Sequence, residues 1–503
     1  MRWWLTGWLL PRCHRMHYVV LAFLLAIGAQ TLRGQSAPAA APSNGAAASQ
    51  NASAGAIAIG GAPASGGNSF SGSVPTQLVP GVLPLSLQNA IDRGLKQNLG
   101  LLLSSADIGN ARGQRWQQLS ALLPHINLAP YADVSQVNIA EFGFSFHIPG
   151  VNIPTIVGPF SYFDARANLS QSLFDWSAIN KTRASREQIK SAEYTYQDAR
   201  DLVVLTVGFA YLQAVADEAS IQAVDAQVKT AQALYDQASD QVKAGTSPAI
   251  DSLRARVELQ TRQQQLIQTR NDFAIQKLSL ARAIGLAPGQ QFELTDKSPY
   301  QPVEIITVEE ALRRAYASRS DFQAALANVR AAEYSRKAAS ADHYPTLSFT
   351  SDYGVAGQHF NSSHGVFNVR GTLNVPIFAG GLVHGEILQA DAQLQRSRDH
   401  LENVRGQIDA DVRTALLNLQ SAAELVAVAQ SNIDLAEQTL TQSRDRFAAG
   451  VTDTVEVVQE QEAVANAHQN YISSLYSYNY AKISLARAMG AAEAGVKEYF
   501  KGK

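Results

Sequence analysis

The side chains that could do chemistry are few and scattered in this chain of 503 residues. Only His359 and His364 share one polar loop, and a metal site needs more convergent ligands than that pair. The one cysteine, Cys13, excludes a cysteine zinc site and a disulfide framework. We therefore predict no catalytic residue, no metal site and no cofactor. The histidines considered are His125, His147, His343, His359, His364 and His384.

Two carboxylates stand out because each follows a glycine that ends a predicted helix. Gly245 precedes Asp251, and Gly450 precedes Glu456 at the same spacing. Both glycines suit the left-handed residue that closes a helix. The intervening residues favour a new helix: Ser247 as cap, Pro248 as first helical residue, and Asp453 with Glu456 as a capping box. This pattern predicts two helical hairpins with an acid at the start of each returning helix.

Composition and charge narrow the class of protein. The chain is 46% apolar and 17% charged, with a formal net charge of -2. It is too apolar for a disordered chain, and its charge is too low to attract nucleic acid by bulk electrostatics. We predict no nucleic-acid partner.

The first residues have the pattern of an export signal. Arg2, Arg12 and Arg15 precede a short apolar run over residues 18–28, and small residues follow. We predict a signal peptide over residues 1–35, the alternative being a buried N-terminal helix. Residues 36–81 are rich in Ala, Ser and Gly and are expected to form a flexible leader.

An internal duplication organises the rest of the chain. The segment Lys-Leu-Ser-Leu-Ala-Arg-Ala-Ile-Gly at 277–285 matches Lys-Ile-Ser-Leu-Ala-Arg-Ala-Met-Gly at 482–490, and Gly245 and Gly450 have the same spacing. We expect a first repeat over residues 82–285 and a second over residues 306–490. A connector at 286–305 and a tail at 491–503 complete the chain.

Each repeat contains long amphipathic helices. Apolar or small residues recur at alternating steps of four and three, which is the heptad pattern of coiled coils. The helix from 177 to 243 would be about 100 Å long at 1.5 Å per residue. The second repeat's seam comprises Ile408, Val412, Ala415, Leu419, Ala422, Val426, Ala429, Ile433, Ala436, Leu440, Ser443 and Phe447.

Each repeat also contains a pair of alternating segments. Residues 126–134 and 163–173 in the first repeat, and 347–355 and 367–375 in the second, place apolar and polar side chains on opposite faces. Segments of this length and pattern are typical of a transmembrane β-barrel with a wet interior, although a soluble half-buried sheet would share the pattern. Four strands cannot close a barrel, so several protomers or a covered edge are required. The long apolar connection at 137–159 is expected outside the cell.

The duplicated plan resembles the TolC family of outer-membrane efflux proteins. The resemblance rests on the paired Lys-x-Ser-Leu-Ala-Arg-Ala-x-Gly ends, on Pro-Ile-Phe-Ala-Gly-Gly at 376–381 and on Arg-Phe-Ala-Ala-Gly-Val at 446–451. It implies an α+β membrane protein whose coiled-coil helical barrel is continuous with a trimeric twelve-stranded outer-membrane β-barrel, four strands per protomer. It also implies a non-enzymatic homotrimer in the outer membrane, extending into the periplasm and embedded in outer-membrane lipid.

The resemblance further implies functional residues. Family members meet a periplasmic adaptor at the hairpin tips, which here are Ala244, Gly245 and Thr246, and Ala449, Gly450 and Val451. Thr246 departs from the family pattern, so this tip is expected to dock less tightly. The alternative is that both glycines only end helices.

A periplasmic constriction is the second implied site, and it maps to Asp251, Glu456 and Gln459. A ring of three Glu456 carboxylates would favour cations, whereas a role in capping the helix is equally open. Gln459 replaces a second acid. Phe447 and Thr452 stand where family members carry a tyrosine and an arginine that hold Asp251, which puts that form of closure in doubt.

The function implied is a passive exit duct of a tripartite efflux pump, serving small molecules through an inner-membrane pump and an adaptor. An exit duct for type I protein secretion is one alternative. A periplasmic coiled-coil adaptor is another, although two hairpins and two strand pairs fit it poorly. The sequence does not identify the cargo, the pump or the adaptor.

Overall fold

A computed structural model describes residues 69–143, 154–296, 300–303, 306–452 and 454–499. The predicted signal peptide, most of the leader, His147 and Asp453 lie outside these residues. The unit treated below is the one that begins at Ser65.

The two repeats have the same order of elements. The first comprises β1 (Leu83–Leu85), α1 (Leu87–Gln97), α2 (Leu99–Ser120), β2 (His125–Asn138), β3 (Ile156–Phe174), α3 (Trp176–Lys243) and α4 (Ala249–Ile284). The second comprises β4 (Phe292–Leu294), α5 (Val308–Ser318), α6 (Ser320–Ala341), β5 (Thr346–Gly357), β6 (His364–Asn374), α7 (Leu382–Ala448) and α8 (Thr454–Ala488), followed by α9 (Ala492–Tyr499).

Two short helices line up along each long helix. In the first repeat, Arg112 of α2 pairs with Glu193 in the upper half of α3 at 3.3 Å, while the Gln276 amide of α4 donates to the Ala210 carbonyl farther along α3. The two short helices meet at Asn98, which is fully buried, caps α2 and donates to the carbonyl of Ala283 in α4. These contacts hold α2 and α4 against α3, and the junction of α1 and α2 against α4.

The small sheet and the short helices enclose an equatorial core. Strands β1 and β4 pair in parallel, and apolar side chains of α1, α3, α4, α8 and α9 pack beside them. Residues 69–81 belong to this region: Phe70 packs against the core, and the Thr76 amide donates to the Gly285 carbonyl. The expectation of a leader that is flexible as far as residue 81 is therefore wrong for these last residues.

The heptad seam of α7 is buried as the sequence pattern requires. Eleven of its twelve positions are buried, and Ala436 is half-buried. Because the buried residues follow a period of 3.5, α7 and α8 pack side by side over their shared length, as α3 and α4 do.

A four-stranded antiparallel sheet, in the order β2-β3-β5-β6, lies at the end of the long helices where α3 and α7 begin. Residues that pair across strands share a face. Arg166 therefore shares a face with Ala129 and Gly354, while Leu169 shares the other face with Ile126 and Ser351. The apolar face is open: Ile126 is 74% exposed and Phe367 is 77% exposed. Strands β2 and β6 are the two edges of the sheet. Among the described residues, β2 pairs only with β3, and β6 pairs only with β5.

The strands of the first repeat are longer than the alternation predicted. Strand β2 continues to Asn138, which pairs with Ile156 at the start of β3. Part of the predicted connection at 137–159 is thus strand, because its apolar residues continue the pairing. Residues 144–153 of this connection lie outside the described part.

Candidate functional site: the hairpin tips and the inter-hairpin contacts

The two tips are built alike. Gly245 and Gly450 have φ angles of 72° and 70°, the left-handed region in which glycine is least strained. The amide of the residue after each glycine bonds back into the last helical turn, Thr246 to Gln241 and Val451 to Arg446. This is the Schellman arrangement, which satisfies the final carbonyls of a helix. The six predicted tip residues thus form two exposed turns at one end of the long helices.

The start of α4 differs from the sequence prediction. Pro248 is the cap and Ala249 the first helical residue, and no side chain caps the helix. Ser247, predicted as the cap, donates its hydroxyl to Asp251 Oδ2 at 3.1 Å. That prediction is wrong because the serine hydroxyl satisfies a carboxylate instead of a backbone amide.

Asp251 lies between the two hairpins. Its side chain is 8% exposed, and Oδ1 accepts a hydrogen bond of 2.9 Å from the hydroxyl of Thr454, at the start of α8. Arg254 Nη1 lies 3.7 Å from the same oxygen. Thr454 is fully buried, so this bond ties the first hairpin to the second away from water. The sequence analysis did not identify Thr454, because a threonine at a helix start carries no distinctive signal.

The partners of the Glu456 carboxylate belong to its own hairpin, formed by α7 and α8. Its carboxylate accepts hydrogen bonds from the hydroxyls of Ser443 and Thr452, and Arg446 Nη1 lies 3.0 Å from Oε1. Gln459 is exposed on the same helix. The predicted constriction residues therefore divide into a buried inter-hairpin link at Asp251, a clamped acid at Glu456 and an exposed amide at Gln459.

Phe447 replaces a polar contact with packing. It is buried in a small core near the tips, against Leu440 of α7, Val457 of α8 and Ala255 of α4. A phenylalanine has no hydroxyl to offer Asp251, and Thr454 supplies the hydroxyl instead.

A cavity of about 370 Å³ lies between the hairpins, above the tips. It is lined by residues of all four tip helices, including Gln227, Arg262, Leu440 and Gln461. Gln461 is 6% exposed, and neither its amide nitrogen nor its amide oxygen has a hydrogen-bond partner among the described residues. Gln227 Oε1 is likewise buried and unpaired. A polar seam thus interrupts the apolar contact between hairpins.

The equator holds an ionic network that joins the repeats. Arg487 of α8 pairs with Asp198 of α3, and Arg319 at the α5–α6 junction pairs with Asp411 of α7 at 2.9 Å. Burial raises the pKa of Asp201, one turn along α3, to about 6, although the Arg487 charge opposes the shift. Burial therefore disfavours the charged form of the Asp201 carboxylate.

The two histidines of the polar loop have different surroundings. His359 Nδ1 lies 3.1 Å from the Ser161 hydroxyl, and His364 stands on β6 opposite Ala356. The part of the chain that the structure describes contains no group of three or more His, Cys, Asp or Glu side chains able to hold a metal ion.

Comparison with known protein families shows which family the chain belongs to. The sequence model of the family described as outer membrane efflux protein matches residues 90–286 and 311–491. The chain belongs to this family. The two matched segments contain the duplicated repeats, with their helical hairpins and strand pairs.

Relatives and solved structures agree with this assignment. The chain is 24% identical over 350 residues to the outer membrane protein TolC of Escherichia coli strain K12, covering 65% of this chain and 69% of that protein. It is 23% identical over 326 residues to the alkaline protease secretion protein AprF of Pseudomonas aeruginosa, covering 62% and 66%. The Campylobacter jejuni CmeC outer membrane channel superposes with a TM-score of 0.71 at 18% identity, covering 82% of this chain and 89% of that one.

The predicted family, the outer-membrane location and the role as exit duct of an efflux or secretion system are thereby confirmed. Family membership also sets aside the alternative of a periplasmic adaptor. Both the helical part and the strand part have counterparts in solved outer-membrane channels.

Proposed function

We propose that three copies of the chain close one channel that carries small molecules from the periplasm to the outside. The observation that carries this proposal is the open sheet: one face is apolar and exposed, the other is polar, and edges β2 and β6 are unpaired. Joining β6 of each copy to β2 of the next would give twelve strands, remove both edges and turn the apolar face to lipid.

The exposed tips suit docking to a periplasmic adaptor. Val451 is 67% exposed at the second tip, and nothing lies within 4 Å of the position that a Cβ would occupy at Gly245 or Gly450. The polar Thr246 occupies the corresponding place at the first tip. The second tip is therefore the stronger candidate for an apolar contact with the adaptor. In this proposal, the inner-membrane pump supplies the energy for export.

The Asp251–Thr454 bond is the candidate closure of the periplasmic end. It links the two hairpins of one copy, and in an assembly of three copies the Glu456 carboxylates of the second hairpins would form a ring. A ring of three carboxylates favours cations and disfavours anions. Rupture of the inter-hairpin bond would free the second hairpin to move outward.

Reconstitution tests the proposed function. The purified full chain should require detergent, behave as a trimer and give ion-conducting pores in planar lipid bilayers. A chain that remains soluble and monomeric without detergent would contradict it. Deletion of the gene should sensitise cells to small toxic compounds, while a secretion defect confined to a protein substrate would favour the protein-secretion role suggested by the similarity to AprF.

A further inference from the structure

A charged cluster occupies the polar face of the four-stranded sheet. Arg166 of β3 lies at its centre: Nε donates to Asp164 Oδ1 at 2.9 Å, and Nη1 donates to Asp352 Oδ2 of β5 at 3.2 Å. The Tyr162 hydroxyl also donates to Asp164, at 2.9 Å. One guanidinium therefore pairs with two carboxylates on neighbouring strands and offsets one of their two negative charges.

The register makes this bridge possible. Arg166 stands directly opposite Gly354, and Asn168 stands opposite Asp352. Because Gly354 has no side chain, the guanidinium meets no obstacle on its way to Asp352. A Cβ at Gly354 would lie 2.1 Å from the Ala165 carbonyl oxygen, so the two strands approach too closely there for another residue.

The cluster is shielded more than its surroundings. The Asp164 side chain is only 4% exposed, whereas Arg370 on the same face of β6 is exposed and has no ion pair among the described residues. A carboxylate in such a place is stabilised by its paired cation, and loss of the partner leaves an uncompensated charge. The charge balance of this face thus depends on Arg166.

We propose that Arg166 is a selectivity-determining residue of the channel, which limits its preference for cations by compensating Asp164 and Asp352. The proposal rests on the proposed function, since it requires that the polar face line the channel. Three copies would place three such clusters around one lumen, where rings of charge set ion preference. The cluster lies near the middle of β3 and β5, where Arg166 pairs with Gly354 and Asn168 pairs with Asp352.

Zero-current potentials in asymmetric potassium chloride test the proposal. Arg166→Gln should shift the potential towards cation selectivity, because two carboxylates per copy lose their compensating charge. Asp352→Asn should shift it in the opposite direction, and the double variant should return close to the wild type. Arg166→Lys keeps the charge and should also remain close to the wild type.

Two controls separate this effect from others. Arg313→Gln removes an equal charge from an exposed ion pair on α5, outside the sheet, and should leave the potential unchanged. Because Glu456 lies in series at the tips, the recordings are repeated in a Glu456→Gln background, where the strand contribution is larger. An Arg166→Gln pore with wild-type selectivity in both backgrounds would overturn the inference. A wild-type chain that conducts nothing would instead contradict the proposed channel.

Discussion

At the scale of single residues, an acid near the first tip is held by a hydroxyl from the second hairpin. Asp251 accepts a hydrogen bond from the hydroxyl of Thr454, whereas the family resemblance implied contacts from a tyrosine and an arginine. Phe447 contributes packing instead. Thr454, which the sequence did not single out, donates the hydroxyl that Phe447 and Thr452 do not supply to Asp251, and it is the contact that we propose for closure.

Thr454→Val tests this contact. The change keeps the volume and removes the hydroxyl, so the buried Asp251 carboxylate loses one of its hydrogen bonds. A buried acceptor left without a partner costs about 1 to 3 kcal/mol. We expect a lower thermal midpoint and a larger single-channel conductance than in the wild type. Thr454→Ser, which keeps the hydroxyl, is the matched control, and equal conductance in both variants would count against the link.

Asp201 makes a prediction about pH. Burial raises its pKa from the ordinary value of 3.8 to about 6, so the folded state favours the protonated form. The charged carboxylate opposes folding, so its ionisation lowers the free energy of unfolding as the pH rises from about 4 through 6. Asp201→Asn should therefore be more stable than the wild type at pH 7.5, on the order of 1 kcal/mol after allowance for solvent screening, and equal to it at pH 4.

Thermal unfolding in detergent at the two pH values measures this difference. Asp107→Asn, which changes an exposed carboxylate on α2, should have little effect at either pH. A stabilisation by Asp201→Asn that is the same at pH 4 and pH 7.5 would show that the charge is not its cause.

At the scale of elements, the repeating patterns were predictable and the interruptions were not. The heptads fixed which face of α7 is buried, and the alternation of 347–355 and 367–375 fixed the faces of β5 and β6, because each pattern matches the period of its element. The strand continuation at Val137 and Asn138 was missed, since a glycine-rich apolar stretch reads as a loop. The buried amide of Gln461 was also hidden, because glutamine is common on exposed helix faces.

Gln461→Leu tests whether the polar seam weakens the contact between hairpins. A buried amide with no protein partner is costly, and replacing it with an apolar side chain of similar size is expected to raise stability by about 1 kcal/mol or more. The thermal midpoint should rise, and spontaneous channel opening should become rarer. Gln469→Leu, on an exposed position of the same helix outside the predicted constriction, should change neither. A destabilised Gln461→Leu protein would indicate that ordered water already satisfies the amide.

At the scale of the whole molecule, the duplication explains why one chain supplies two hairpins and two strand pairs. The repeats are joined at the equator through the β1–β4 pair and the Arg487–Asp198 ion pair, so each copy is built as one unit from sheet to tips. In the described part of the chain, the sheet has two free edges and an exposed apolar face. That surface is what a second and a third copy would complete.

Cysteine cross-linking in cells tests this closure most directly. The one natural cysteine, Cys13, lies in the predicted signal peptide, so a chain processed as predicted would offer no competing thiol. Leu128→Cys on β2 is combined in turn with cysteine at each apolar-face position of β6. Two intervening strands place these edges roughly 14 Å apart within one copy, beyond the reach of a disulfide. Oxidation at the correct register should give a gel ladder that ends at a covalent trimer. A ladder that continues past the trimer, or no cross-link at any position, would contradict the three-copy channel.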